Sequence, residues 1–134
     1  MNNFLNLSEK EFEIMRIFWS LESPVTIQEF ISKYNPEAKN TTIHGNIKKL
    51  MEKDMIEVMG RTIVSRTPAR LYFRKMSVEE YLTNQLISIR ALNGKVDILK
   101  FLTILYDDNL LRIADIEKFL TRKREEETPI ETSL

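Results

Sequence analysis

A run of short polar and basic side chains lies between residues 40 and 49 of the chain. On a helix, Ile43, Ile47 and Leu50 recur at i, i+4 and i+7, so they share one face that turns to a core. The opposite face carries hydroxyl and amide groups near the helix start and basic groups one and two turns later. Its residues are Asn40, Thr41, Thr42, His44, Gly45, Lys48 and Lys49. Hydroxyls and main-chain amides at a helix start bind phosphate oxygens, and longer donors reach base edges, so the pattern predicts contact with a nucleic acid.

Each of these residues also has a purely structural explanation. Asn40 or Thr41 is expected to be the N-cap of the helix. His44 is explained by surface exposure as readily as by donation to a base or phosphate. Gly45 costs about 1 kcal/mol in a helix relative to alanine, and either close approach of a phosphate backbone or a tight helix contact would account for it. Lys48 and Lys49 alone form an ordinary polar face. The prediction therefore depends on their combination with the other residues of this helix and with the basic segment that follows it.

Arginines concentrate in a β-prone stretch that follows this helix. The segments Ile56–Val64 and Leu71–Phe73 flank the turn-like segment Ser65–Ala69, and this order predicts a β-hairpin. Its basic residues are Arg61, Arg66, Arg70, Arg74 and Lys75. Guanidinium groups on a protruding hairpin suit phosphate or minor-groove contacts, although charge on edge strands also serves to prevent strand pairing.

Helical patterns lie on both sides of the hairpin. Capping boxes, in which Ser or Thr is followed three residues later by Glu, mark helix starts at Ser8, Thr26 and Ser77. Apolar periodicity predicts three helices before the hairpin and three after it, with Phe12, Phe18 and Trp19 in the core. Three helices and a hairpin form a winged helix-turn-helix domain, whose third helix lies in the DNA major groove.

The predicted fold is therefore mainly α with a small β-hairpin wing. We predict a DNA-binding winged helix-turn-helix domain over residues 1–75, a helical dimerisation domain over residues 76–124 and a flexible tail over residues 125–134. The C-terminal helices are too short to be stable alone, and their broad apolar faces favour pairing with a second copy. The residues expected there are Leu82, Leu86, Ile98, Leu102, Leu105, Ile116, Phe119 and Leu120. Packing of these helices onto the N-terminal domain of a monomer is the alternative.

Charge is unevenly distributed along this chain of 134 residues, whose formal net charge is +0. Residues 36–75 hold 9 Lys or Arg against 4 Asp or Glu, a net charge of +5, whereas residues 76–134 hold 8 against 11, a net charge of −3. The asymmetry suggests that the middle segment meets a polyanion, unless it is a chance fluctuation on a solvated surface.

Composition excludes several classes of chemistry. The chain has no Cys, one His and three Gly, so it offers no disulfide, thiolate site, histidine metal cluster or Gly-rich phosphate loop. We therefore predict no cofactor, no metal and no catalytic residue. No apolar stretch reaches membrane-spanning length and no signal sequence precedes the first helix, so a cytoplasmic location with no membrane partner is expected.

The sequence resembles the BlaI/MecI/CopY family of bacterial transcriptional repressors, the penicillinase repressor family. The likeness runs from Leu7 to about Glu125 and includes the segments LSEKEFEIMRIFW, TTIHGNIKKLMEKDMIE and LYFRKMSVEEYL. It implies a sequence-specific repressor that binds double-stranded DNA as a homodimer at a palindromic operator. A winged-helix module that binds a protein partner without touching DNA is the alternative, and an enzyme is the least supported hypothesis.

The chain departs from that family at three points. Copper-responsive members carry a C-terminal cysteine cluster, which is absent here. Members inactivated by a protease are cleaved at an Asn-Phe bond, and the aligned position here is Ile104-Leu105, which argues against induction by the same protease. The hairpin between Val58 and Leu71 is also a few residues longer than the family's usual wing. The inducing signal is left open.

Overall fold

A computed structural model of the chain describes residues 6–93 and 96–127, with side chains for 6–88 and 96–127. Over these ranges the chain forms three helices, an antiparallel hairpin and three further helices, which confirms the predicted mainly α winged-helix fold. The elements are α1 (Glu9–Ser20), α2 (Ile27–Tyr34), α3 (Asn40–Glu52), β1 (Ile56–Val64), β2 (Thr67–Arg74), α4 (Val78–Asn93), α5 (Ile98–Asp107) and α6 (Ile113–Glu127). No helix within the described ranges is both long and apolar enough to cross a membrane.

The predicted capping boxes begin three of the helices. At the start of α1, the Glu11 amide donates to the Ser8 hydroxyl and the Ser8 amide donates to the Glu11 carboxylate. Thr26 forms the same reciprocal pair before α2, and Ser77 forms it before α4. Because each box satisfies two otherwise unpaired amides, these helix starts are determined locally by sequence.

The predicted N-cap of α3 is wrong. Lys39 occupies the N-cap position with an extended backbone and no side-chain hydrogen bond, and Asn40 is already helical. A turn closed by the Ala38 amide and the Asn35 carbonyl leads the chain into the helix one residue early. The first amides of α3 therefore receive no side-chain cap.

The hairpin is tighter at its tip than the sequence suggested. The turn consists of Ser65 and Arg66 alone, both with positive φ, so Thr67–Ala69 belong to β2 instead of the predicted turn. Two residues with positive φ are the requirement of the two-residue turns that match strand twist. A bulge at Gly60, whose φ is 125°, interrupts the register between Val58 and Arg61.

One core joins α1, α2, α3 and the base of the hairpin. Its largest fully buried side chains are Phe18, Phe30, Met15, Ile43, Ile47, Leu50, Met55 and Ile56. A backbone bridge between Val25 and Tyr72 ties the hairpin to the segment before α2. The wing is therefore fixed to the domain at its base and extends from it at its tip.

The aromatic residues of α1 do not all lie in this core. Phe18 is fully buried and stacks on Phe30, but Phe12 is 40% exposed, so its predicted burial is wrong. The Phe12 ring lies against Trp19 and Tyr81, and the Trp19 indole donates to the Met76 carbonyl. The start of α4 packs against this aromatic group, which lies at the edge of the core.

An ion pair connects α1 to the end of α3. The Lys53 ammonium lies 2.7 Å from the Glu11 carboxylate, which is almost fully buried. Burial opposes ionisation of Glu11, but hydrogen bonds from Lys53 and the Ser8 amide outweigh it and leave the pKa of Glu11 below its ordinary value. The pair therefore stabilises the folded domain with Glu11 charged.

The chain divides into two compact units, Met1–Ala91 and Leu92–Leu134. The division lies later than the boundary expected after residue 75, since the start of α4 packs against Phe12 and Trp19. Helix α6 continues to Glu127, three residues into the predicted tail, and carries a Lys123–Glu126 ion pair in its last turns. Residues 128–134 of that tail lie outside the described residues. The functional division at residue 75 stays a prediction.

Candidate nucleic-acid interface

Helix α3 separates an apolar face from a polar face, and the polar face is open to solvent. Ile43, Ile47 and Leu50 are at most 2% exposed. The candidate residues Thr41, His44, Gly45, Lys48 and Lys49 are all exposed, as are Asn40 and Thr42. Since the buried face holds the helix against the core, the polar face keeps a fixed orientation on the surface of the domain.

Two adjoining grooves run between α3 and the wing. The first is lined by Gln28 and Ser32 of α2, Asn40 and His44 of α3, and Arg70 of β2. The second is lined by His44, Lys48 and Glu52 of α3, again with Arg70. The structure thus brings four of the sequence-predicted residues together, because Arg70 of the hairpin faces the polar side of the helix.

The other predicted residues of α3 lie away from these grooves. Thr42 lines a depression on the opposite side of the helix, together with Lys39 and Asn46. Thr41, Gly45 and Lys49 are exposed and line none of the grooves described here. By helical spacing, Thr41 and Gly45 follow one another along the centre of the outward face. The candidate surface therefore extends across the whole outward face of α3.

Gly45 has no packing reason to be glycine. A Cβ built on Gly45 would meet no atom within 4 Å, so a tight helix contact does not explain this residue. No contact among the described residues therefore accounts for a glycine that destabilises the helix at this position. Close approach of a molecule outside the chain is the explanation that stays open.

The basic groups of the candidate surface have no acidic partner among the described residues. The ion pairs found in residues 6–93 and 96–127 involve none of Lys48, Lys49, Arg61, Arg66 and Arg70. All five side chains are exposed. Their charge is therefore available to an external anion.

Two basic residues of the hairpin have structural roles instead. The Arg74 guanidinium donates to the main-chain carbonyls of Phe18 and Leu21, at 2.9 and 2.6 Å. Lys75 pairs with Asp54 at 3.3 Å. Both lie at the base of the hairpin, where a single guanidinium nitrogen of Arg74, Nη1, makes both of these hydrogen bonds within the domain.

Sequence reasoning missed three exposed polar residues that line the grooves. Gln28 and Ser32 are four residues apart on α2, so they share the face opposite Phe30, and this spacing was a usable signal. Glu52 lies in the second groove beside Lys48. A carboxylate at the last turn of α3 repels phosphates, so anion contact is favoured on the earlier turns.

The C-terminal unit shows a different surface. Neither α5 nor α6 has a buried residue. Of the residues predicted for dimerisation, Leu82, which is 59% exposed, and the half-buried Leu86 lie on α4 in the first unit. On α5 and α6, Phe119, Ile98 and Leu120 are between 40% and 57% exposed, and Leu102, Leu105 and Ile116 are half-buried. These side chains are more accessible than apolar residues of a completed core.

The described residues contain no group of three or more His, Asp or Glu side chains arranged to hold a metal ion. Three helices followed by a hairpin, with the polar face of the third helix exposed, form the fold of the winged-helix proteins. The family model described as penicillinase repressor matches residues 7–122, and the chain belongs to that family. No curated protein matches it significantly. The family consists of transcriptional regulators, so the protein is a DNA-binding regulator of transcription of the repressor class.

Proposed function

We propose that the protein is a sequence-specific transcriptional repressor that binds a palindromic operator as a homodimer. The observation that carries this proposal is the outward face of α3, where hydroxyl and basic groups without an acidic partner adjoin Arg70 of the wing. We place this action in the cytoplasm, where bacterial DNA lies. No cofactor is required for it.

Each part of the interface has a distinct role in the proposed complex. The uncapped start of α3 offers main-chain amides and the Thr41 hydroxyl to a phosphate, and the dipole of the helix favours that anion. His44, one turn later, reaches base edges in the major groove, and Lys48, two turns later, reaches a phosphate of the opposite strand. Arg70 neutralises a phosphate of the strand that passes between helix and wing. The phosphate contacts position the protein on the duplex, and the contacts to base edges select the sequence.

The apolar surface of the C-terminal helices supports the proposed dimerisation. Leu99, Phe101 and Ile104 of α5 remain 77%, 42% and 51% exposed. A second copy related by a two-fold axis would cover such surface on both partners at once. Two winged helices held together then contact half-sites about one helical turn, or a multiple of it, apart.

Fluorescence anisotropy with the DNA upstream of the protein's own gene tests the proposal. We expect binding below micromolar protein at about 100 mM salt, within the range of specific regulators. Lys48→Ala should weaken binding about tenfold, since the loss occurs in both subunits. Lys33→Ala is the matched control, because Lys33 is an exposed lysine of α2 that pairs with Glu29 and does not line the grooves.

The alternative, a winged-helix module for a protein partner, makes the opposite prediction. Protein interfaces are depleted of lysine at their centre, so a face with Lys48 at its middle is poorly suited to one. Absence of DNA binding at micromolar protein, or equal affinities of Lys48→Ala and the wild type, would favour this alternative.

A further inference from the structure

An apolar pair lies near the tip of the wing. In the strand register, Ile63 is opposite Pro68 and Arg61 is opposite Arg70. Residues two apart on a strand point to the same side, so both pairs lie on one face of the hairpin. That face consequently carries two arginines and, one step nearer the tip, two apolar side chains.

This face of the hairpin is the one that looks toward α3. Pro68, Arg70 and Tyr72 occupy every second position of β2, so their side chains lie on the same face of the hairpin. Tyr72 is buried in the core, and Arg70 lines the same groove as His44. The pair formed by Ile63 and Pro68 thus continues the candidate interface outward along the wing.

The surroundings of the pair indicate what it contacts. Ile63 is 72% exposed and Pro68 is also exposed, so neither belongs to the core of the domain. Between residues 58 and 73 the sequence holds Arg61, Arg66 and Arg70 and no Asp or Glu. An apolar tip flanked by arginines that form no ion pair among the described residues is complementary to a polyanion with an apolar recess. The minor groove of DNA, with phosphates on both rims, has this character.

The turn at the tip adds a second indication. Arg66 adopts a φ of 68°, in the left-handed region where a side chain is disfavoured and glycine is the usual residue of such turns. A strained arginine at the most distant point of the wing places a guanidinium where the groove would receive it. Narrow minor grooves of A·T-rich DNA attract arginine most strongly.

We propose that Ile63 and Pro68 enter the minor groove beside each half-site and make the protein select A·T pairs there. The 2-amino group of guanine projects into the minor groove and would lie unpaired against these apolar side chains. Arg61 and Arg70 hold the phosphates on the rims, and Arg66 extends along the groove. This inference rests on the proposed function, since it assigns a second specificity element to the same DNA complex.

Inosine substitution tests the inference, because an inosine·cytosine pair matches G·C in the major groove and A·T in the minor groove. The probes are duplexes enriched from a random pool by the wild-type protein, with each flanking position set to A·T, G·C or inosine·cytosine. At the positions that the wing contacts, we expect wild type to bind A·T and inosine·cytosine duplexes equally and G·C duplexes about tenfold more weakly.

Variants of the wing separate the minor-groove contact from folding. Ile63→Ser should bring the three duplexes within about twofold of each other. Val64→Ser is the matched control, because Val64 is the neighbouring β-branched residue on the other side of the strand and should keep the full discrimination. The urea transition of Trp19 fluorescence shows whether each variant folds, since Trp19 is the one tryptophan of the sequence.

The failures of the two proposals differ. If the wild-type protein enriches and binds no duplex, both are overturned. If it binds tightly but inosine·cytosine behaves as G·C does at every flank, or if Ile63→Ser keeps the preference, the wing inference is wrong and the proposed function stands.

Discussion

The two compact units use apolar residues in opposite ways. In Met1–Ala91 the large apolar side chains of α1, α2 and α3 are buried or half-buried, apart from Phe12 and Tyr34, and the exposed faces carry charge. In the C-terminal unit, α5 has six large apolar residues within ten positions, yet none of its residues is buried. The first unit has a buried core that a single chain completes. The second unit exposes apolar side chains of the kind that pack together in a core.

Helices α3 and α5 make the same comparison at the level of single elements. The exposed face of α3 is polar and basic, so its natural partner is an anion. The exposed face of α5 includes Leu99 and Ile104, so its natural partner is another apolar face. The chemistry of an exposed helix face therefore indicates the class of molecule that covers it.

The largest expected effect concerns the core of the N-terminal unit. Phe18→Ala should lower the free energy of unfolding by about 3–5 kcal/mol, because the ring is fully buried and stacks on Phe30. Urea unfolding of the full chain, followed by Trp19 fluorescence, measures it. Leu99→Ala removes an equally apolar side chain that is 77% exposed and should leave this transition unchanged. Equal losses of stability in Phe18→Ala and Leu99→Ala would contradict the difference in burial between the two units.

The next prediction concerns the C-terminal unit. Phe119→Glu should weaken self-association at least about 100-fold, since a two-fold interface loses the aromatic side chain from both copies and gains two charges. Sedimentation velocity of the full chain measures the dissociation constant. Lys118→Glu, one residue earlier on α6, is the control and should change it little. A wild-type chain that stays monomeric at tens of micromolar would contradict the comparison directly.

A smaller effect is expected for the ion pair between α1 and α3. Glu11→Gln should lower the free energy of unfolding by about 1–3 kcal/mol near pH 7, because the Lys53 ammonium loses its charged partner. The pKa of Glu11 is lowered in the folded protein, so its contribution is full above the ordinary glutamate pKa and is lost as the pH falls through the folded value.

Urea transitions at several pH values check this prediction. The difference between wild type and Glu11→Gln should shrink as the solution becomes acidic. Glu13→Gln is the matched control, because it changes an exposed glutamate of the same helix and leaves the ion pair of Glu11 and Lys53 in place. A difference that is constant with pH would show that the carboxylate charge is not what stabilises the domain.

The smallest effect sharpens the comparison on α3 itself. Gly45→Ala should raise the free energy of unfolding by up to about 1 kcal/mol, since the added methyl meets no atom of the unit and alanine favours helix. The same methyl should weaken DNA binding several-fold, because it stands at the centre of the face that meets the duplex. Urea unfolding measures the expected gain in stability, and fluorescence anisotropy measures the expected loss of DNA affinity. Unchanged DNA affinity would show that the duplex does not approach Gly45.

Features set by local contacts were predictable from the sequence. The capping boxes at Ser8, Thr26 and Ser77 and the apolar periodicity of the helices determine the element order, because each depends on residues three or four positions apart. The exposure of His44 and Lys48 follows from the same periodicity. These features required no knowledge of long-range packing.

Features set by long-range contacts were not predictable. The contact between Phe12 and Tyr81 joins α1 to α4, whose residues are distant in sequence. The use of Arg74 to bind the carbonyls at the end of α1 depends on how the hairpin base meets that helix. The helical spacing of Gln28 predicts its exposure, but its place in the groove depends on how α2 and α3 pack against each other.

The salt dependence of DNA binding tests the central claim most directly. If the polar faces of two α3 helices and their wings neutralise about 6–10 phosphates, affinity should fall about 10³–10⁵-fold between 50 and 200 mM salt. Lys48→Ala should reduce the log–log slope by about two, one phosphate for each subunit. An affinity that does not change with salt, or a slope that Lys48→Ala leaves unaltered, would contradict the assignment of this face to DNA.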